Sequence, residues 1–323
     1  MNELRAVRLG LPAAFAAVAL ALPLFAPRFW VVQIGISTFW LAVIAMSLVF
    51  LIGHCGMVSF VQVGISGIAG YTLAILTVRQ GVDPWLAVIV AVVIATAVGA
   101  ALGAIAVRTY GIYFLMITLT YGMIVFLLAN QAHHITGGHN GIRGIVRPGI
   151  AGFSLAQPTV LFYTSLVVML GVWALLTYVS RTPFGLTARG VRDNPSRMRA
   201  LGFTVEWHRI SAFALAAFIA AVGGVLAAWY NAQISPGTID IIRIVNVLVI
   251  AVIGGMYRLG GAIAGALLFT VLANYAILFT PRYNTVIGVI FILVLLLSPG
   301  GLAGIWERAT ERIHLLRSRG ATS

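Results

Sequence analysis

Long apolar runs separated by short polar segments dominate the 323-residue chain. A helix needs about 20 predominantly apolar residues to cross the roughly 30 Å hydrocarbon layer of a bilayer. Ten runs approach that length and predict membrane-spanning helices at residues 9–25, 29–52, 58–78, 85–107, 110–132, 158–180, 208–234, 243–257, 260–280 and 283–298. The third run contains three glycines and the eighth is short, so we expect these two spans to be broken, Gly-rich segments. The pattern predicts an all-α polytopic integral membrane protein.

The arginines predict how the spans are oriented. Hydrophobic residues make up 61% of the chain and charged residues only 8%, whereas a soluble domain carries about 25% charged residues. All twenty basic residues are arginines, and with a cytoplasmic N-terminus 14 of them fall on the cytoplasmic side, as the positive-inside rule requires. Ten spans place both termini in the cytoplasm. The predicted organisation is a transmembrane domain (1–303) with a cytoplasmic loop (181–209) and an extracytoplasmic loop (133–157), followed by a cytoplasmic amphipathic tail (304–323).

The chain lacks the residues of several catalytic classes. It has no lysine, which excludes a Walker A phosphate-binding lysine and a Schiff-base lysine, and its one cysteine excludes an intrachain disulfide. All seven acids fall in loops, tails or span edges, although ion-coupled carriers usually keep an intramembrane carboxylate. We therefore predict no enzyme activity and no cofactor in this chain. The net charge of +13 comes from arginines between apolar runs, so it predicts contact with a lipid bilayer and not with nucleic acid.

The histidines give no clear chemistry. His54 ends the second run, where a histidine bonded to backbone at the membrane interface is favoured over a proton carrier. His133, His134 and His139 lie in the extracytoplasmic loop, but no acid or cysteine joins them. The sequence therefore predicts no metal site.

Glycines suggest where a substrate would pass. When the ten spans are divided five and five, the glycine-interrupted third and eighth spans take equivalent positions, and such pairs point to a midplane site. The predicted pathway residues are Ser66, Gly67, Gly70, Gly254 and Gly255. The pairs Gly99–Gly103 and Gly261–Gly265 have GxxxG spacing and are predicted to allow close helix packing. Arg243, near the outer end of the eighth span, either reaches toward the interface or meets a substrate carboxylate.

The longest cytoplasmic loop contains a short predicted helix. Asn194 is a good cap, Pro195 suits the first helical position, and Gly202 suits the C-terminal stop of a helix over 196–201. The loop either serves only to fix topology or docks a transverse helix into a cytoplasmic motor. In the second case the predicted coupling residues are Arg189, Arg192, Asp193, Asn194 and Gly202.

At this loop the chain resembles a known family. Residues 185–202 follow G-x-x-x-x-A/G-x-R-D/E-N-x-x-x-x-x-A-x-G, a pattern similar to the coupling region of permeases of branched-chain amino acid ABC importers (LivH/LivM type). Further short motifs of that family occur in the same order, at 53–59, 64–71, 110–119, 135–141, 234–236, 253–255 and 261–266. The resemblance covers roughly residues 30–300, and the long loop at 136–158 indicates a LivM-like subunit.

The resemblance implies a function and a set of partners. It implies a permease subunit in the cell inner membrane that passes a branched-chain amino acid or a similar small substrate. ATP and magnesium would bind to partner subunits, of which it implies two ATP-binding subunits, a second permease subunit and an extracytoplasmic substrate-binding protein. An ABC permease for urea, amides or aromatic acids stays open, as do an ion-coupled secondary carrier and a membrane scaffold without transport activity.

Overall fold

The computed structural model describes residues 29–150 and 153–279, with Pro23, Pro27 and some positions between 285 and 293. The predicted first span (9–25) and the amphipathic tail (304–323) lie outside the described residues, apart from Pro23. Of the predicted tenth span (283–298), the structure describes only residues 285–286, 288–289 and 291–293, which are helical.

Helices make up almost all of the described chain. In chain order they are α1 (Trp30–Cys55), α2 (Gln62–Ala74), α3 (Pro84–Ala106), α4 (Ile112–Gln131), α5 (His133–Thr136), α6 (Pro158–Val179), α7 (Pro183–Asp193), α8 (Pro195–Ala200), α9 (Val205–Asn231), α10 (Ile241–Gly254) and α11 (Leu259–Phe279). Seven of them, all except α2, α5, α7 and α8, are long and apolar enough to cross a membrane, α10 together with the 3₁₀ turn before it. The multi-pass all-helical architecture predicted from the apolar runs is confirmed in this part of the chain.

The glycine-rich third segment differs from its prediction. It is an unbroken α-helix, α2, that continues as a π-helical turn over Ile75–Arg79. Its glycines do not interrupt the helix; they let neighbours approach, so that a side chain at Gly64 would meet Gly122 and one at Gly70 would meet Ile234. The prediction that this span is broken was wrong, because glycine lowers helix propensity by only about 1 kcal/mol and packing outweighs that cost.

The other glycine-rich segment does end at its glycines. Helix α10 stops at Gly254, and Gly255 adopts φ +110°, a conformation that side chains oppose. Helix α11 begins four residues later, and Gly254 packs directly on the backbone of Gly261. The predicted close packing at the Gly261–Gly265 pair is therefore confirmed.

Two helices, α9 and α1, form the centre of the fold. Helix α9 packs against α1, α2 and α3. In the most apolar stretch of α1, 94% of the residues are buried, whereas only 22% are buried in the corresponding stretches of α3 and α4. On α3, side chains at Gly99 and Gly103 would collide with Ala217 and Phe213 of α9, which confirms the GxxxG packing predicted there. The opposite face of α3 exposes apolar side chains such as Ile89, as expected for a surface in contact with lipid.

The helix connections gather at two opposite ends of the bundle. The hairpin end comprises residues 79–84, 132–157 and 231–241, where two-residue strands β1 (Ile142–Arg143), β2 (Gly149–Ile150), β3 (Phe153–Ser154) and β4 (Gln233–Ile234) occur. β1 pairs with β4 and β2 with β3, both antiparallel. The arginine-rich end comprises residues 55–61, 107–111, 180–205 and 254–259. This grouping agrees with the two sides that the arginine pattern predicts, while their orientation in a membrane stays a prediction.

Candidate functional site

A cavity of about 310 Å³ opens between α1, α2, α9, α10 and α11 toward the hairpin end. Near that end the lining is mostly polar, and deeper in the bundle it is mostly apolar, although Ser66, near the start of α2, also lies in the deeper part. The polar lining residues are Gln33, Ser37, Trp40, Ser66, Tyr230, Asn231, Thr238, Arg243, Thr270 and Asn274. The deeper part is lined by Leu41, Ile44, Val63, Val247 and Phe269. The cavity therefore has a polar mouth and an apolar floor.

Some of the polar groups in the mouth are already hydrogen-bonded. The Tyr230 hydroxyl donates to Gln33 Oε1 at 2.8 Å, and Asn274 Nδ2 donates to the Thr270 carbonyl at 2.8 Å. By contrast, the buried Trp40 Nε1 and Thr270 Oγ1 have no hydrogen-bond partner among the described residues. Buried polar groups are nearly always hydrogen-bonded, so these two atoms are exceptions, and a ligand in the cavity would reach them only after a rotation of the side chain.

The predicted pathway residues divide between two places. Ser66 and Gly67 line the cavity, and a side chain at Gly67 would collide with Ile239, which also lines it. Gly70 lies next to them, where a Cβ would be 2.9 Å from Ile234. Gly254 and Gly255 lie at the arginine-rich end and do not line the cavity. The structure thus brings α2 and α10 to one cavity, but through Arg243 and Val247 of α10 and not through its terminal glycines.

Sequence reasoning missed several of the lining residues. Gln33 and Ser37 lie four residues apart on α1, and Thr270 and Asn274 lie four apart on α11. Residues four apart share a helix face. Polar pairs at this spacing within apolar runs were the signal that would have found both lining faces.

The loop at the arginine-rich end contains two helices. The sequence predicted α8 but not α7, although Pro183 directly after Thr182 is a helix-start signal. Helix α8 forms as predicted: Asn194 Oδ1 accepts the Arg197 N–H at 2.9 Å, and the chain turns at Gly202 with φ +87°. Two backbone bonds close this turn, from Gly202 N–H to the Arg199 carbonyl at 2.9 Å and from Phe203 N–H to the Met198 carbonyl at 3.1 Å.

Arginines of this loop attach it to the bundle. Arg189 Nη2 donates to the Ser180 carbonyl at 2.6 Å. Arg192 donates to the Gly53 carbonyl at the end of α1 and forms an ion pair of 2.8 Å with Asp193. Arg189 therefore ties α7 to the end of α6, whereas Arg192, which is paired with Asp193, ties α7 to the end of α1.

Helix α8 is attached separately. Arg199 Nη2 donates to Glu206 Oε1 at 2.6 Å and to the Tyr110 hydroxyl at 3.0 Å. The hydrogen bond to Glu206, followed by the one to Tyr110, raises the pKa of Arg199 above its ordinary value. Through these bonds α8 reaches the segment before α4 and the first turn of α9.

A second cavity, of about 360 Å³, lies beside this loop and is lined by Arg192 and Arg209. Arg209 is only 5% exposed. Its guanidinium lies 4.2 Å above the Tyr110 ring and donates to the carbonyls of Val107 and, at 3.0 Å, Thr109. Arg209 thereby ties α9 to the α3–α4 connection.

The described histidines form no metal site, and one arginine of the hairpin end, Arg147, bonds to the end of α9. Among the described residues, no group of three or more His, Cys, Asp or Glu is placed to hold a metal ion. His54 is buried and stacks on Phe50, with ring centroids 5.1 Å apart. At the hairpin end Arg147 donates to the Tyr230 carbonyl at 3.2 Å, and burial lowers the pKa of its guanidinium.

Comparisons with known proteins agree with the resemblance of the motifs. The sequence model of the family described as branched-chain amino acid transport system / permease component matches residues 30–297. The high-affinity branched-chain amino acid transport system permease proteins LivM of Salmonella typhimurium and Escherichia coli are each 26% identical over 308 residues, which cover 88% of this chain and 72% of theirs. The probable branched-chain amino acid transport permease protein LivH of Methanocaldococcus jannaschii is 28% identical over 159 residues, which cover 46% of this chain and 50% of that protein. No solved structure matches the chain.

Proposed function

The chain belongs to the permease-component family of branched-chain amino acid transport systems, and from this premise we propose that it is a LivM-like membrane subunit of an ATP-driven importer in the cell inner membrane. It passes a branched-chain amino acid or a similar small substrate. ATP and magnesium bind to two partner ATPase subunits, and a second permease subunit and an extracytoplasmic binding protein complete the complex. In this proposal the chain has ten spans and two cytoplasmic termini, so that the hairpin end faces outward.

The observation that carries the proposal is that α1 connects the loop to the cavity. At one end of α1 the Gly53 carbonyl accepts a hydrogen bond from the Arg192 guanidinium, which belongs to the loop over residues 181–209, called the coupling loop below. At the other end Gln33, Ser37 and Trp40 line the cavity. Because α1 is tightly packed, a displacement of its loop end moves the cavity lining and is not absorbed by loose side chains.

The mechanism follows from these attachments. Closure of the ATPases on ATP presses on α8, whose Arg199 holds Tyr110 and Glu206. The movement passes through α7 and Arg192 to α1, and it changes the opening of the cavity between the two sides of the membrane. No residue of this chain acts as a catalyst. Its residues bind the substrate, form its passage and transmit movement.

The decisive experiment is reconstitution with and without the ATPases. We expect proteoliposomes that contain the complete complex to take up radiolabelled leucine only when ATP and the binding protein are present. An ion-coupled carrier would instead transport with this chain alone under an ion gradient, and a scaffold would give no flux in either preparation. Uptake that does not depend on the ATPases would refute the importer assignment.

A further inference from the structure

The cavity at the hairpin end has an unbalanced charge. Of the residues that line it in the described part of the chain, Arg243 is the only charged one. The ion pairs among the described residues are Arg192–Asp193 and Arg199–Glu206, both at the arginine-rich end. The nearest acid in sequence, Asp240, accepts the Arg243 backbone N–H at 2.9 Å as the cap of α10. Within the described part of the chain, the guanidinium of Arg243 therefore has no anionic partner.

The neutral polar groups of the lining include both donors and acceptors, because Asn231 and Asn274 use their Nδ2 atoms on backbone carbonyls and keep their Oδ1 atoms as acceptors. Trp40 Nε1 donates only, and it is buried without a partner among the described residues. Thr270 Oγ1, also buried and unpartnered, can donate or accept. Gln33 Oε1, an acceptor, is already occupied by Tyr230. The charge of Arg243 is therefore the feature that distinguishes ligands, and a carboxylate suits it best because its two oxygens can pair with a guanidinium through two bonds.

The position of Arg243 also fits one end of an amphipathic ligand. Arg243 and Val247 lie four residues apart, on one face of α10, with Arg243 toward the mouth and Val247 toward the apolar floor. A volume of about 310 Å³ lies at the small end of the roughly 300 to 1,000 Å³ typical of ligand sites. A short branched or aromatic hydrocarbon on the floor would leave its carboxylate at Arg243.

We propose that Arg243 is a specificity-determining residue and that the cavity selects a small monocarboxylate anion with an apolar tail. It accepts such an acid without an α-ammonium group at least as well as the zwitterionic amino acid. The reason is that an ammonium group entering the cavity leaves water, approaches the Arg243 charge, and finds only neutral oxygens. This inference rests on the proposed function and specifies the substrate class of the same cavity.

The test measures binding to the membrane complex of the permease and ATPase subunits in lipid nanodiscs, without the binding protein, whose own selectivity would otherwise affect the result. The probes are leucine, isocaproate, which has the carbon skeleton of leucine without the ammonium group, and the neutral isocaproamide. We expect isocaproate to bind at least as tightly as leucine, and isocaproamide to bind more weakly. Arg243→Gln should weaken isocaproate binding on the order of tenfold to a hundredfold, as loss of a charge-assisted pair predicts.

Controls separate this inference from the function it rests on. Arg143→Gln removes an exposed arginine at the same end that does not line the cavity, and should leave isocaproate binding unchanged. Arg243→Lys keeps the charge and should restore part of the affinity. The inference is overturned if leucine binds more tightly than isocaproate, if isocaproamide binds as tightly as isocaproate, or if Arg243→Gln binds like the wild type. ATP-driven leucine uptake by the wild-type complex is measured separately, and its absence would count against the proposed function whatever the binding results.

Discussion

Gly202 offers the sharpest test of the coupling loop, because its role in the fold can be isolated from its contacts. It lies just after α8 with φ +87°, and no atom lies within 4 Å of the place where a Cβ would be. A substitution there therefore acts through the backbone and not through a collision. An L-residue in the left-handed region costs roughly 1–2 kcal/mol, and Asn tolerates that region better than others.

The magnitude is large for so short a helix. Helix α8 has six residues and buries none of them, so its stability depends mainly on the Asn194 cap, worth about 1 kcal/mol, and on the turn at Gly202. Losing 1–2 kcal/mol lowers the ratio of formed to unformed helix by roughly 5- to 30-fold. A helix that is mostly unformed cannot transmit ATPase movement to Arg199 and α7.

The assay compares Gly202→Val with Gly202→Asn in the reconstituted complex. We expect Gly202→Val to lower substrate-stimulated ATP hydrolysis and leucine uptake together by several-fold, with capture by the binding protein unchanged. Gly202→Asn should remain close to the wild type, because it meets the same backbone demand. Wild-type rates in Gly202→Val would show that the loop only fixes topology, and equal loss in both variants would show that the backbone argument is wrong.

Three further outcomes follow from the structure. Cysteines introduced at the exposed positions Val146 and Leu201 should be labelled from opposite sides of the membrane, Val146 from outside and Leu201 from inside. Labelling of both positions from the same side would contradict the proposed orientation. Gly67→Leu should stop substrate uptake but not membrane insertion, because its side chain collides with Ile239. Gly171→Leu, with open space around it, is the control and should transport normally. Equal uptake by both variants would show that α2 is not part of the pathway. Arg209→Lys should lower the free energy of unfolding by about 1.5 to 3 kcal/mol, because lysine lacks the planar group with which arginine bonds two carbonyls. An unchanged melting temperature would argue against the role of Arg209 in tying α9 to the α3–α4 connection.

The apolar pattern was enough to predict most of the helices, for a physical reason. A bilayer leaves no water to bond backbone groups, so a long apolar run has few alternatives to a helix. The start of α8 was predictable because the side chain of Asn194 caps it, and caps act locally. Outcomes that depend on neighbours were not predictable. Considered alone, the glycines of α2 suggested a break in the helix. In the fold they instead make room for Gly122, Ile234 and Ile239, which come from distant parts of the chain.

The candidate site shows the same limit. Ser66 and Gly67 were found because glycine density is visible in the sequence, and Arg243 because a charge at a span end is conspicuous. Trp40 and Thr270 resemble ordinary apolar-span residues in sequence, and only the packing of α1 against α11 shows that their polar atoms lack partners. Helix α7 was not predicted because the capping signal of the next helix, the six-residue α8, was clearer in the sequence.

The two contact points of α1 lie in its least regular stretches. Gly53, which accepts Arg192, belongs to a π-helical turn over Leu51–Cys55, and Gln33, which lines the cavity, belongs to another over Trp30–Ile36. The regular α-helical part, Ser37–Phe50, lies between them and is almost wholly buried. Wide π turns disturb the regular ladder of hydrogen bonds and occur often at functional sites. A displacement that starts at Arg192 is therefore passed along the packed centre, which moves as one body, while the two terminal turns change shape enough to keep their contacts with the loop and with the cavity.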